Sequence, residues 1–176
     1  MTENSTVLDL LGMTDGWDAG AEIVDCYRYR LWRIWDKNLP LLCWVMLNPS
    51  TADAFEDDPT IEKCMAYARS WGFGGIKVVN LFAYRATDPK NMIEASQRGV
   101  DVVGPMNDSM ILQTIQECSK TVFAWGTHGE LAGRGKYVVG LVSPLTETCC
   151  LGLNTGGTPK HPLYLRGSLK PVPMGG

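Results

Sequence analysis

At 176 residues the chain is long enough for one domain with a sizeable core and too short for two ordinary ones. Hydrophobic residues make up 45% and charged residues 20%, and no segment approaches the roughly 20 apolar residues a membrane span needs, so no membrane partner is expected. The N-terminus is acidic and lacks the basic region of a secretory signal, so a cytoplasmic location is the expectation.

Six cysteines, at 26, 43, 64, 118, 149 and 150, form no C-x-x-C pair, and there are two histidines, His128 and His161. Reduced, buried thiols fit this pattern better than a zinc site, so the expectation is no metal and no cofactor. The net charge of −3 is unevenly spread: residues 1–58 carry four Lys and Arg against eleven Asp and Glu, and residues 134–176 carry five against one. A polyanion could meet the basic C-terminal third or the Arg28, Arg30, Arg33 segment, while general adhesion to DNA would be weak.

In chain order, residues 1–20 read as an arm or helix fragment, and 21–176 as a single domain. "DCYRYRLWRIW" is aromatic and β-branched, hence a strand. "LLCWVML" is a second strand, nearly without polar residues, expected to form a hairpin with the first. Asp58 and Pro59 form an N-cap and first-turn pair for a helix whose apolar stripe is Ile61, Met65, Ala68 and Trp71. Glycines 72, 74 and 75 stop it, and "IKVVNLFAY" is the next strand. A loop around Thr87, Asp88 and Pro89 precedes "NMIEASQRGV". Another helix, capped near Asn107 or Asp108, leads to the strand "KTVFAWG", then a glycine-broken helical stretch and the strand "TCCLGLN". Alternation of strands and helices predicts a three-layer α/β/α sandwich with a mostly parallel sheet, preceded by an N-terminal hairpin. Ligands bind such sheets beyond the carboxyl ends of the strands. Asn48, Asn80, Gly126 and the loop before His161 would collect there.

These segments resemble the motifs of the uracil-DNA glycosylase superfamily. "LNPS" after a strand is similar to its first motif, "VVNLFAYR" to its base-reading strand, "VFAWG" to a strand entering a helix through Gly, and "HPLYLRG" to its His-Pro motif before a leucine-bearing loop. The order is the superfamily's, over about residues 41–167. The fuller pattern "MLNPSTAD…DDPTI…WGFGG…VVNLFAYRATDP…AWG…HPLYL" more closely resembles a bacterial and phage family known as a numbered domain of unknown function.

The resemblance implies a DNA glycosylase that cleaves the N-glycosidic bond of a flipped pyrimidine and leaves an abasic site. Asn48 matches the water-holding position. Its amide orients water but is a poorer base than aspartate, which implies a slower or more selective enzyme. His161 matches the donor to the departing base, with His128 competing for that role. Asn80 matches the base reader, since an amide offers both donor and acceptor. Ser50 is small where a bulkier residue would exclude a ring substituent, which makes room for a modified pyrimidine. Phe55 is the nearest aromatic wall. Leu163, Tyr164 or Leu165 would supply the wedge, with Arg166 and Arg85 toward phosphate. The cysteine spacing does not fit an iron–sulfur cluster.

Two other classes stay open. The same pocket could read a nucleotide or altered base without cutting it. Alternatively, Asp53, Glu56, Asp57 and Asp58 could hold Mg²⁺ for phosphoryl transfer. An unrelated nucleotide-binding α/β protein has less support, because the chain has neither G-x-G-x-x-G nor a P-loop.

Overall fold

A computed structural model describes residues 17–174. One seven-stranded mixed sheet runs in the order β1-β2-β4-β3-β5-β6-β7, comprising β1 (Asp18–Val24), β2 (Tyr27–Ile34), β3 (Leu41–Met46), β4 (Gly75–Asn80), β5 (Lys120–Phe123), β6 (Thr148–Cys150) and β7 (Val172–Pro173). Four central strands, β4-β3-β5-β6, are parallel, whereas β1 to β2, β2 to β4 and β6 to β7 are antiparallel. The α/β class is as expected; the sheet is mixed rather than mostly parallel.

The hairpin also differs. β2 turns back on β1 through Asp25 and Cys26, Asp25 taking a positive φ of 54° that aspartate tolerates, and its other edge joins β4 rather than β3. The sheet therefore begins at Asp18, inside the segment read as an arm; residues 1–16 lie outside the described residues. β3 is central, with Leu42 to Met46 all buried, which explains its continuous apolar run.

Helices pack on both sheet faces. α1 (Pro59–Ser70) lays Ile61, Cys64, Tyr67 and Ala68 against Leu42, Trp44, Ile76 and Val122. On the other face α2 (Pro89–Gln97), α3 (Asn107–Gln116) and α4 (Arg134–Val142) contribute Met92, Ile111, Ile115 and Val138 to a core with Cys43, Val45, Val79 and Phe123. Asp58 caps α1 by accepting from the Ile61 N–H at 2.9 Å, and Asp88 caps α2 in the same way through Lys90. α3 has no side-chain cap: its N-cap is Met106, while Asn107 is buried and donates to the Asn80 and Leu81 carbonyls. No helix among the described residues is long and apolar enough to cross a membrane. All six cysteines are unpaired.

Within the parallel strands the chain passes from β3 to β4 on one side, then crosses back to β5 on the other. The loops leaving β3 and β5 therefore diverge, and a crevice opens between their carboxyl ends. In α/β sheets this is the expected place for a ligand.

Candidate functional site

A cavity of about 430 Å³ lies at that crevice, within the range of small-molecule sites. Leu47 lines it from the end of β3; Trp125, Gly126 and His128 line it from the end of β5. Lys160, His161 and Leu165 close it from the C-terminal segment.

His161 reaches this place through a return of the chain after β6. The Lys160 N–H bonds the Gly152 carbonyl, the Asn154 N–H bonds the Thr158 carbonyl, and Leu153 bridges Pro159. The Gly126 N–H then donates to the Pro159 carbonyl at 2.9 Å, which ties the end of β5 to the residue two before His161. Gly126 has φ of 78°, and a β-carbon there would sit 3.7 Å from that of His161, so backbone conformation rather than space demands glycine. Beyond His161 the loop is anchored to α1. The Tyr67 hydroxyl donates to the Arg166 carbonyl at 2.6 Å, and the Trp71 indole donates to the Leu169 carbonyl at 3.1 Å.

The imidazole is polarised by its surroundings. Its Nδ1 accepts the Leu163 N–H at 3.3 Å, so in the neutral ring the proton sits on Nε2, which becomes the donor. Burial pushes the pKa below the ordinary histidine value, and the Asp58 carboxylate partly opposes that shift. His161 is thus held as a neutral ring with a defined N–H. His128 lines the same cavity but is exposed.

The two amides stand on the same sheet edge but do not line this cavity. Asn80 ends β4 beside Met46 of β3. Its side chain is 1% exposed, and neither amide atom has a hydrogen-bond partner. It is covered because pairing continues past the strand, with the Leu81 and Phe82 N–H groups donating to the Met46 and Leu47 carbonyls. Asn48, partly buried, donates from Nδ2 to the Ala86 carbonyl at 2.9 Å and to that of Pro49 at 3.2 Å. Its Oδ1 accepts no hydrogen bond among the described residues. The expected convergence of Asn48, Asn80 and His161 around one cavity is therefore met in edge but not in lining.

Ser50 and Arg85 share a different cavity, of about 410 Å³, with Asp25, Cys26, Thr51, Tyr84 and Thr87. The loop after β3 is tied to the loop after β4 where Asn48 donates to the Ala86 carbonyl and the Ala86 N–H donates to the Pro49 carbonyl at 3.0 Å. Ser50 thus lines a cavity whose lining does not include His161. Phe55 is 62% exposed and lines neither cavity, so it is no wall for a base there. Tyr164 is 93% exposed, Leu163 is half-buried, Arg166 is exposed, and Leu165 packs on the α1 core while lining the His161 cavity.

The arginines of β2 are not a surface for a polyanion. Arg33 is 3% exposed; it pairs with Asp57 at 2.9 Å and donates to the Asp53 carbonyl at 2.6 Å. Arg28 is buried under the same loop and donates to the Ala52 carbonyl, while Arg30 pairs with Glu22 and Glu117. The acidic stretch has structural employment too. Asp53 accepts the Phe55 and Glu56 N–H groups, which hold its carboxyl below the usual range, Asp57 meets Arg33, and Asp58 caps α1. Among the described residues no group of three or more His, Cys, Asp or Glu gathers to hold a metal.

Sequence reasoning missed Trp125 and Lys160 as lining residues and Arg28 as a buried cation. Trp125 lies inside the quoted "AWG", and its position directly before the glycine that follows β5 was an available signal. Lys160 left none.

The family described as a protein of unknown function, DUF1643, matches residues 28–163. The chain belongs to that family. The match runs from within β2 to the His161 loop and covers most of the lining of both cavities, leaving out Asp25 and Cys26 of one and Leu165 of the other. No curated protein and no solved structure matches the chain.

Proposed function

We propose that this DUF1643 protein is a DNA glycosylase of the uracil-DNA glycosylase type, which hydrolyses the N-glycosidic bond of a pyrimidine flipped into the cavity between β3 and β5. The observation that carries the proposal is His161: a half-buried imidazole in a cavity at the switch point, kept neutral by burial and left with Nε2–H as donor. A departing pyrimidine gathers negative charge on its carbonyl oxygen, and a preset neutral donor stabilises it without transferring a proton.

Asn48 is the water holder in this reading. Its Nδ2 is fixed on Ala86, so the carbonyl end is oriented and can accept from a water, aligning a lone pair of that water toward the sugar. Asn80 is the base reader, its buried amide having no protein partner; an unsatisfied buried polar group costs about 1–3 kcal/mol, which a bound base edge would offset. Reaching it requires the 81–82 segment to shift. Four parallel strands with helices on both faces are consistent with the sandwich expected of that superfamily. Tyr164, fully outside the core beside His161, is the side chain available to enter the space a flipped base leaves.

The test is an oligonucleotide panel bearing uracil, mismatched thymine or modified cytosine, treated with protein and then alkali. Strand breaks at one of these bases, reduced about 10²–10³-fold in His161→Ala, are expected. A second reading, a module that binds a modified base without cutting it, is favoured by Asn48, whose amide nitrogen ties two loops together and whose oxygen is a weak base. Binding to the panel without any alkali-labile strand would establish that reading instead.

A further inference from the structure

The second cavity contains neither histidine, and its chemistry is different. Ser50, Thr51 and Thr87 bring hydroxyls, Tyr84 a phenol and Arg85 a guanidinium, while Asp25 contributes the one carboxylate among the lining residues. Arg85 is half-buried, yet among the described residues it forms no ion pair and no side-chain hydrogen bond. Its backbone, by contrast, is firmly held. The Arg85 N–H donates to the Cys26 carbonyl at 2.9 Å, the neighbouring Tyr84 N–H donates to the Val102 carbonyl, and Tyr84 bridges Tyr27. The cavity is therefore built between the β1–β2 turn and the loop after β3, before any ligand arrives.

Behind it lies Arg28. This guanidinium is 2% exposed, has no carboxylate at ion-pair distance, and leaves Nε without a partner. Its Nη1 bonds the Ala52 carbonyl at 2.6 Å, one residue beyond Thr51, so the cation sits under the loop that forms one wall. Its pKa is lowered to about 10, chiefly by burial and also by Arg85 and Arg33, while Asp58 and Asp53 act in the other direction. Two guanidiniums without direct carboxylate partners, one beneath and one lining a hydroxyl-rich hollow, make a receptor for an oxyanion. A fork of guanidinium donors suits phosphate, and hydroxyls supply the remaining hydrogen bonds.

We infer that the Arg85 cavity binds a phosphate group, with Arg85, Ser50, Thr51 and Thr87 as its ligands. This cavity and the His161 cavity share no lining residue. The inference rests on the glycosylase reading only in making a nucleic acid strand, rather than a free nucleotide, the source of that phosphate.

The experiment uses ¹⁵N-labelled protein and three probes: inorganic phosphate, thymidine 5′-monophosphate, and a short oligothymidylate with intact bases. Saturable shifts centred on the amides of residues 50, 51, 85 and 87 are expected with phosphate. Arg85→Ala should weaken binding by at least about tenfold, with partial rescue by Arg85→Lys. Thr87→Val, at an exposed position, provides an independent loss. Tighter binding of oligothymidylate than of the monophosphate identifies a strand, and Arg85→Ala should then reduce the slope of log affinity against log salt by about 1. Tighter binding of the monophosphate identifies a free nucleotide. Shifts confined to residues 125–128 and 160–161, or no shifts, or wild-type affinity in Arg85→Ala would overturn the inference. Because every probe carries intact bases or none, this outcome is independent of whether any base is released.

Discussion

Asp58 performs two tasks that one pair of substitutions separates. Its Oδ1 caps α1 through the Ile61 N–H at 2.9 Å, from an extended backbone with φ −101° and ψ 167°. Its charge also opposes the burial shift at His161. Asp58→Ala removes cap and charge together, and loss of such a cap costs about 1 kcal/mol, within a range of about 0.5–2. For a chain of this size that is a fall in Tm of about 2–4 °C per kcal/mol. Asp58→Asn keeps a good cap and removes only the charge, so stability should change by no more than a few tenths of a kcal/mol. Both variants should lower the His161 pKa further below its ordinary value, because the attraction of the Asp58 carboxylate for the imidazolium is gone. The assay is the pH titration of the His161 ring signal by NMR, beside urea unfolding of each variant. If Asp58→Asn left the His161 titration where it is, or raised it, the proposed proximity of helix cap and imidazole would be wrong. If Asp58→Asn destabilised as much as Asp58→Ala, the cap would not be the source of the loss.

The remaining predictions are more compact. Tyr67→Phe keeps the ring packed against Trp44 and Trp71 but loses the bond to the Arg166 carbonyl, so it should cost about 0.5–1.5 kcal/mol by urea unfolding and speed hydrogen exchange in residues 163–169. Arg33→Ala strands Asp57 and the carbonyls of residues 20 and 53, and should destabilise by about 3–5 kcal/mol in the same assay. The folded pKa of His161 lies below its unfolded value of about 6.5, so the unfolded chain binds the proton first. Its contribution to stability is therefore complete above pH of about 6.5 and is lost as pH falls through the folded value. Base release should share that acid limb, and His161→Gln should remove the limb from a pH–rate profile. EDTA should leave base release unchanged, because the acidic residues 53–58 are engaged in turns, a cap and an ion pair.

Local signals read well in this sequence and non-local ones did not. Asp58-Pro59 announced α1 because a cap and a fixed proline φ act within a few residues, whereas Asp88-Pro89, the same signal ahead of α2, was read only as a loop. The apolar run of β3 announced a strand covered on both faces. By contrast, the partner of β2 is chosen by contacts far along the chain, and its neighbour β1, "DAGAEIV", has too little β propensity to be noticed. β7 is two residues long and includes a proline. The start of α3 was misread because Asn107, a good cap by type, is buried and bonds β4 instead.

For the site, the His-Pro signal named His161 but not the hairpin of residues 152–160 that carries it to β5. Asn80 was legible as a strand-end amide, whereas its covering by residues 81–82 depends on backbone pairing that no side chain reveals. Asn48 is tied by its amide nitrogen to the Ala86 carbonyl, across 38 residues of sequence. Spacing alone could not show it.

The most direct test of the account is to look for the released base itself, by mass spectrometry, after single-turnover incubation with the most strongly bound DNA of the panel. The account predicts one equivalent of free pyrimidine and an abasic strand, with the rate cut about 10²–10³-fold by His161→Ala. Tight binding with the base still joined to its sugar after prolonged incubation, or release at the same rate without His161, would contradict it.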